Sequence, residues 1–358
     1  MNNLPLYHKM VQQFCQWFPK ERITRIRNQS LLTVGLYLSG SVHLSKIVSE
    51  WPLPGKDPSL VNRLNRFLNN PRMDVPDWYQ PIAANMLAAL AGRPIRLIID
   101  CTKVGFRHRI MVVGLAYRKR TLPLAWRIYP GPKGHTTYQE QIDLLRQVAR
   151  LLPVDSPVCL LGDAGFQSVH LLNWLGRMHW HFVIRQPGRC KVWQPGLDWV
   201  KMGDLALQEG QTRTLGWVRL TEKHNAGWFW LVMHWEKGED EPWYLVSNRP
   251  GERQLIRLYR LRMWIEEMYG DFKGHGFDLE ATHLRTAERI HHLLLGVCIA
   301  YVWLIALGSW VIKNGFRHLI DHKSRRDKSY FRLGWDWIAR CFRNNKAVPI
   351  RFAPYYLK

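Results

Sequence analysis

The chain has 358 residues, and 51 Lys and Arg against 28 Asp and Glu leave a formal charge of +23. Hydrophobic residues at 47% and charged residues at 22% exclude a mostly disordered chain, and the length allows one large domain or two to three smaller ones. The basicity points to a polyanionic partner, nucleic acid before an anionic membrane surface, while six scattered cysteines without a CxxC pair argue against a zinc ribbon or a disulfide scaffold.

The chain starts MNNLPLYHKM, which carries no signal-peptide pattern, so a cytoplasmic protein associated with the nucleoid is expected. Residues 1–92 read as helices. Residues 30–38 and 41–51 are apolar with helical spacing, and WPLPGKDPS interrupts them. Ser59 is the expected N-cap of LVNRLNRFLNN, with Leu60, Leu64, Phe67 and Leu68 on one face. Asn62, Arg63, Asn65 and Arg66 occupy the other. Helix, turn, then a helix with Asn and Arg outward fits a DNA-reading module, with Arg63 and Arg66 as its DNA-binding residues. An ordinary solvated face fits the same pattern.

At Arg96 the texture changes. RLIIDCTKV, RIMVVGLAYRKR and LPLAWRIYPG are β-rich runs, followed by a helical stretch over 138–152, the strand run VCLLGDAGF, the apolar helix SVHLLNWLGRM and the strand HFVIRQ. A strand meander followed by helix, strand, helix and strand predicts a mixed sheet covered by helices over 93–186, an order compatible with a ribonuclease-H-like fold. Residues 187–250 read as all-β, a subdomain inserted into that α/β core. Five of the eighteen tryptophans fall there in three strand runs, and eight Lys/Arg balance eight Asp/Glu, so basicity gives this segment no claim on DNA.

A long helix is predicted through RQLIRLYRLRMWIEEMYGDFKGHG, the start of a second part of the core over 251–312. Residues 293–312 are twenty in a row without a charge, about the length that spans a bilayer. With no second span and basic flanks at Arg289 and Lys313, a buried central helix is the expectation, and no membrane partner. The region 313–358 holds twelve Lys/Arg against three Asp/Glu, suited to neutralising phosphates or to standing in solvent.

Two carboxylates stand at predicted strand ends, Asp100 closing RLIID and Asp163 closing CLLGD. A lone aspartate there is more often a turn former or helix cap, and AGF after Asp163 makes that rival explicit. The sharper element is Tyr259, Arg262, Glu266 and Lys273, in steps of 3, 4 and 7 residues that align on one helical stripe. Such a stripe is a poor core face. It makes sense if Glu266 is a metal-binding carboxylate with Arg262, Lys273 and Tyr259 holding phosphate beside it, although an i,i+4 Arg–Glu surface pair is the bland alternative.

These residues resemble the DDE transposases, and among them the insertion-sequence transposases of family four, which are recognised by this Tyr-Arg-Glu-Lys signature. The resemblance extends through IEEMYGDFKGHGFDLEATHL, Asp100-Cys-Thr, GPKGHTTYQEQ and GDAGF. It implies a ribonuclease-H-like core with Asp100, Asp163 and Glu266 as a catalytic, metal-binding triad, separated by 63 and 103 residues, the longer gap holding the β insertion. Glu267 competes with Glu266, but a neighbouring helical residue points about 100° away, and the signature selects Glu266. The implied cofactor is Mg²⁺ or Mn²⁺, two ions per active site about 3.5–4 Å apart. The implied activity is cleavage at transposon ends and transfer of the 3′-OH into target DNA, with second-strand cutting through a hairpin. Trp243 corresponds to the family's base-stacking tryptophan, core packing being its rival role. The implied partners are transposon-end duplex, target DNA and a second copy in a synaptic dimer. A catalytically silent derivative that only binds DNA, and a nuclease that cuts without joining, are the alternatives.

Overall fold

In the computed structural model, which describes residues 3–105, 107–131, 136–224 and 226–356, local sequence signals set where the elements begin. Helices α1 (Leu4–Trp17), α2 (Ile23–Ser39), α3 (Leu44–Ser49), α4 (Asp57–Leu68) and α5 (Val75–Ala88) form the N-terminal part. The first, fourth and fifth carry a proline as their second residue, where the missing N–H would be unpaired anyway. For that reason α4 begins at Asp57-Pro58, and Ser59 lies inside its first turn instead of capping it. Leu60, Leu64, Phe67 and Leu68 are buried, as the spacing predicts. Asp74 caps α5 by accepting from the Asp77 N–H at 2.9 Å.

The strands β1 (Ile95–Val104), β2 (His108–Tyr117) and β3 (Arg120–Pro130) form an antiparallel meander. Then come α6 (Tyr138–Ala149), β4 (Val158–Gly162), α7 (Val169–Arg177) and β5 (His181–Gln186), with β4 parallel to both β1 and β5. A capping box between Thr137 and Glu140 starts α6. The strands β6 (Lys191–Gln194), β7 (Leu197–Lys201), β8 (Thr212–Leu220), β9 (Ala226–His234) and β10 (Trp243–Ser247) follow. They make no separate sheet. Because β10 pairs antiparallel with β5 on one side and β9 on the other, one ten-stranded mixed sheet runs β3-β2-β1-β4-β5-β10-β9-β8-β6-β7.

Two sequence expectations change at the centre of this sheet. β1 does not stop at Asp100, since its pairing with β2 carries it on to Val104. What stops there is the parallel partner: the last β1–β4 pair is Ile99 with Gly162, so Asp100 and Asp163 are the next residues on two adjacent strands. The predicted long helix is also interrupted. It consists of α8 (Arg253–Tyr259), a 3₁₀ turn over Arg260–Met263, and α9 (Trp264–Phe272), and the tighter winding shifts the phase of the stripe between Tyr259 and Glu266.

The uncharged run lies in α10 (Ala287–Lys313), apolar around its whole circumference, and 89% of its most apolar stretch is buried inside the fold. Such a helix has to sit at the centre of something. It packs against α2, α5 and β3, and most closely against α11 (Tyr330–Arg343). The basic C-terminal region is therefore partly structural. Phe331, Trp337, Ile338 and Cys341 of α11 are buried, Asp336 takes Lys328 at 2.6 Å and Arg332 at 3.2 Å, and Lys313 and Arg351 flank the Tyr355 ring.

Candidate active site

Asp100 is 9% exposed, on a strand buried on both sides. Burial, then the negative charge of Asp163, pushes its carboxyl up to about 7. Arg262 and a backbone hydrogen bond from Cys101 pull the other way, and the Glu266 carboxylate adds to the rise. Three acidic side chains from β1, the end of β4 and α9 thus share one electrostatic neighbourhood.

Asp163 also does the local work expected of a turn former. It accepts from the Gly165 N–H at 2.8 Å and so begins the 3₁₀ turn Ala164–Phe166. Gln141 on α6 donates to the Gly165 carbonyl at 3.1 Å and fixes that turn from behind. The two readings of Asp163 are compatible, because a carboxylate oxygen held by its own turn leaves the other oxygen on a rigid mount.

Arg262 connects the cluster. Its Nη1 lies 4.0 Å from Asp100 Oδ2, and its Nη2 is paired with Glu266 Oε1. The guanidinium is 11% exposed, and its Nε–H is buried without a partner. Glu266 itself is about half exposed, while Glu267 turns to Arg120 at 2.8 Å, so the two adjacent glutamates face different parts of the molecule. Tyr269, one turn after Glu266, donates its hydroxyl to the Asp100 backbone oxygen at 3.3 Å and ties α9 to β1. Lys273 caps α9 out of helical conformation; its Nζ reaches Thr102 Oγ1 at 3.5 Å and Glu280 at 3.1 Å.

Tyr259 is buried, with its hydroxyl pushed up to about 12, chiefly by that burial. Its ring meets Trp243 edge to face at 5.0 Å. Trp243 is 8% exposed and also touches His234, so both sides of its packing are occupied by protein in this form. The tryptophans standing furthest into solvent are Trp217 and Trp228, at 42% and 45%. Arg63 and Arg66 lie apart from the carboxylates, on α4. Arg63 donates to Asn28 at 2.8 Å, and both line a cavity of about 430 Å³ together with Arg22, Arg25 and Arg72. Of GPKGHTTYQEQ, residues 132–135 lie outside the described residues.

Sequence reasoning missed three groups. Arg120 at the start of β3 grips Asp271 at 2.6 Å and Glu267 at 2.8 Å, pinning α9 to the sheet. No sequence signal gives that pair, 151 residues apart. Arg185 on β5 stands beside the Tyr259 hydroxyl and takes Glu241 at 2.7 Å. Thr102 was within reach, since it is two residues from Asp100 and strand alternation puts both on one face.

Among the described residues no three His, Cys, Asp or Glu side chains are close enough to hold a metal ion as they stand. Asp100, Asp163 and Glu266 are all carboxylates, the hard oxygen donors that divalent cations take, and the Arg262 guanidinium stands beside two of them.

A family model described as "Transposase DDE domain" matches residues 95–303, from the start of β1 into α10. No curated protein matches the chain. Among solved structures, similarity extends to one described as a "Cryo-EM structure of piggyBac transposase synaptic complex with hairpin DNA", at 11% identity and a TM-score of 0.42, over 98% of this chain and 83% of that one.

Proposed function

Because this chain belongs to the family of transposases with a DDE domain, matched over 95–303, we propose that it cuts the ends of a mobile DNA element and joins the freed 3′-OH to target DNA. DDE transposases use divalent metal ions. The observation that carries the reading is Arg262, tied at once to Asp100 and Glu266 beside Asp163. The Tyr-Arg-Glu-Lys spacing supports placing it with the insertion-sequence transposases of family four.

Support for a ribonuclease-H-like core comes from β1, with antiparallel β2 and β3 on one side and parallel β4 and β5 on the other. We assign 1–92 to DNA binding, 93–186 and 251–312 to the core, 187–250 to a β insertion that extends the core's own sheet, and 313–358 to a basic region packed on α10. Asp100, Asp163 and Glu266 would hold Mg²⁺ or Mn²⁺, two ions per site, supplying activation of the attacking oxygen and stabilisation of the leaving one. Arg262 keeps the two carboxylates in register and compensates their charge in the meantime. Its unpartnered Nε–H is a donor kept for a phosphate oxygen, with Lys273 and Tyr259 beside it. Trp243 is assigned to stacking on a flipped base of a hairpin, which requires it to part from Tyr259. A second copy would pair the two element ends, and the cytoplasmic nucleoid is the proposed location.

One assay tests this reading. End-bearing duplexes are incubated with Mg²⁺, and nicked, hairpin and joined products are counted. Asp100→Asn, Asp163→Asn and Glu266→Gln should each lower nicking by roughly a thousandfold or more while leaving DNA affinity intact. Undiminished nicking by any one removes it from the triad. Trp243→Ala should reduce hairpins more than first nicks, and an unchanged hairpin yield removes the stacking role. Nicks from the wild type without joined products would favour a nuclease.

A further inference from the structure

Arg107 and His108 at the start of β2 and the residues leading into α10 border a basic pocket of about 580 Å³ that takes no part in the proposed catalysis. Arg107, His108, His283, Leu284 and Arg285 line it among the described residues. None of them is acidic. Arg107 and Arg285 are exposed, and neither has an acidic partner among the described residues. The mouth is firmly built. The Arg107 carbonyl accepts from the Gly131 N–H at 2.8 Å, and His283 meets the His43 ring edge to face at 5.3 Å, joining the N-terminal helices to the core. Gly105, just past the end of β1, lies within ordinary packing distance of Thr282, next to His283: a β-carbon on it would stand 3.5 Å from the Thr282 methyl.

We propose that this pocket seats backbone phosphates of the duplex beside the cut. The inference rests on the proposed cleavage reading, and β1 supplies the ruler. From Asp100 to Gly105 are five residues, ~16 Å at about 3.3 Å per residue. Lys273, on Thr102, stands between. A strand of duplex advances about 3.4 Å per phosphate, so the pocket is about five base pairs from the scissile bond. Two guanidinium groups in one pocket, neither with an acidic partner among the described residues, suit backbone phosphates and carry no base reading.

The test is binding of full-length protein, without metal so that nothing is cut, to duplexes ending two or ten base pairs beyond the cleavage point. One set is lengthened on the element side and one on the flanking side. The wild type should gain affinity from lengthening on one side only, which identifies the source of the phosphates. Arg107→Gln/Arg285→Gln should lose that gain, and its plot of log affinity against log salt should flatten by about 2. Arg107→Lys/Arg285→Lys should restore most of both. An unchanged length dependence and salt slope in the glutamine variant would overturn the proposal. So would a gain that neither lysine nor arginine is needed for. The triad variants fail or succeed in nicking independently of this result, so the two readings fall separately.

Discussion

Asp100 is the residue whose protonation the fold has to manage. Folded, its carboxyl is pushed up to about 7 by burial and by Asp163, against an ordinary value of 3.8. An acid that holds its proton more tightly folded than unfolded opposes folding once it ionises. The penalty is absent below pH ~4, grows between 4 and 7, and is complete above that, on the order of 4 kcal/mol. Asp100→Asn cannot ionise. In metal-free buffer it should melt above the wild type at pH 8, with the difference closing as pH falls to 4. Adding Mg²⁺ at pH 8 should raise the melting temperature of the wild type and leave that of the variant nearly still. Parallel pH curves for the two proteins would mean that Asp100 carries no such strain. The sequence told of this site through spacing alone. It put two aspartates after apolar runs and a glutamate on a helix, but their mutual charge depends on Arg262 and on how deep β1 lies, neither of which a spacing contains.

At the scale of elements, most of the architecture was legible because apolar periodicity is local. The strands of the meander, α6, α7 and the buried α10 all fall where alternation or helical spacing puts them. Close approach between elements is written elsewhere. α10 and α11 cross at Gly308 and Gly334, where a β-carbon on Gly308 would fall on the Tyr330 carbonyl and one on Gly334 on the Leu304 carbonyl. Neither glycine has a positive φ, so both are there for space and not for backbone freedom. Nothing in a run such as WLIALGSWVI distinguishes that use from an indifferent small residue. Gly334→Ala should therefore destabilise the protein by about 1–3 kcal/mol or more, despite alanine's better helix propensity. Thermal unfolding measures it, and a variant melting at or above the wild type would mean the helices do not cross so closely. The same limit hid Arg120: a clamp from β3 onto α9 has no period to betray it.

Over the whole molecule, a charge of +23 says that a polyanion is met but not where. The folded chain sorts its cations. In the C-terminal region Arg317 pairs with Asp321, and Lys328 and Arg332 pair with Asp336, so part of the densest basic stretch is spent internally. In the N-terminal cavity Arg22, Arg66 and Arg72 are exposed, their guanidinium groups have no acidic partner among the described residues, and Asn28 and Asn70 share the lining. The two regions should then answer differently to neutralisation. Arg22→Gln/Arg66→Gln/Arg72→Gln should weaken binding to duplex DNA of any sequence and flatten its salt dependence by about 3, one unit for each lost phosphate contact, without lowering the melting temperature. Lys328→Gln/Arg332→Gln should do the reverse, leaving the slope near that of the wild type and lowering stability, since Asp336 then loses both of its cations. Filter binding across a salt series, run beside thermal unfolding on the same samples, separates them. If the tail variant flattened the slope and the cavity variant did not, the ion pairs around Asp336 would have to open on DNA, and the N-terminal helices would lose their claim to the duplex.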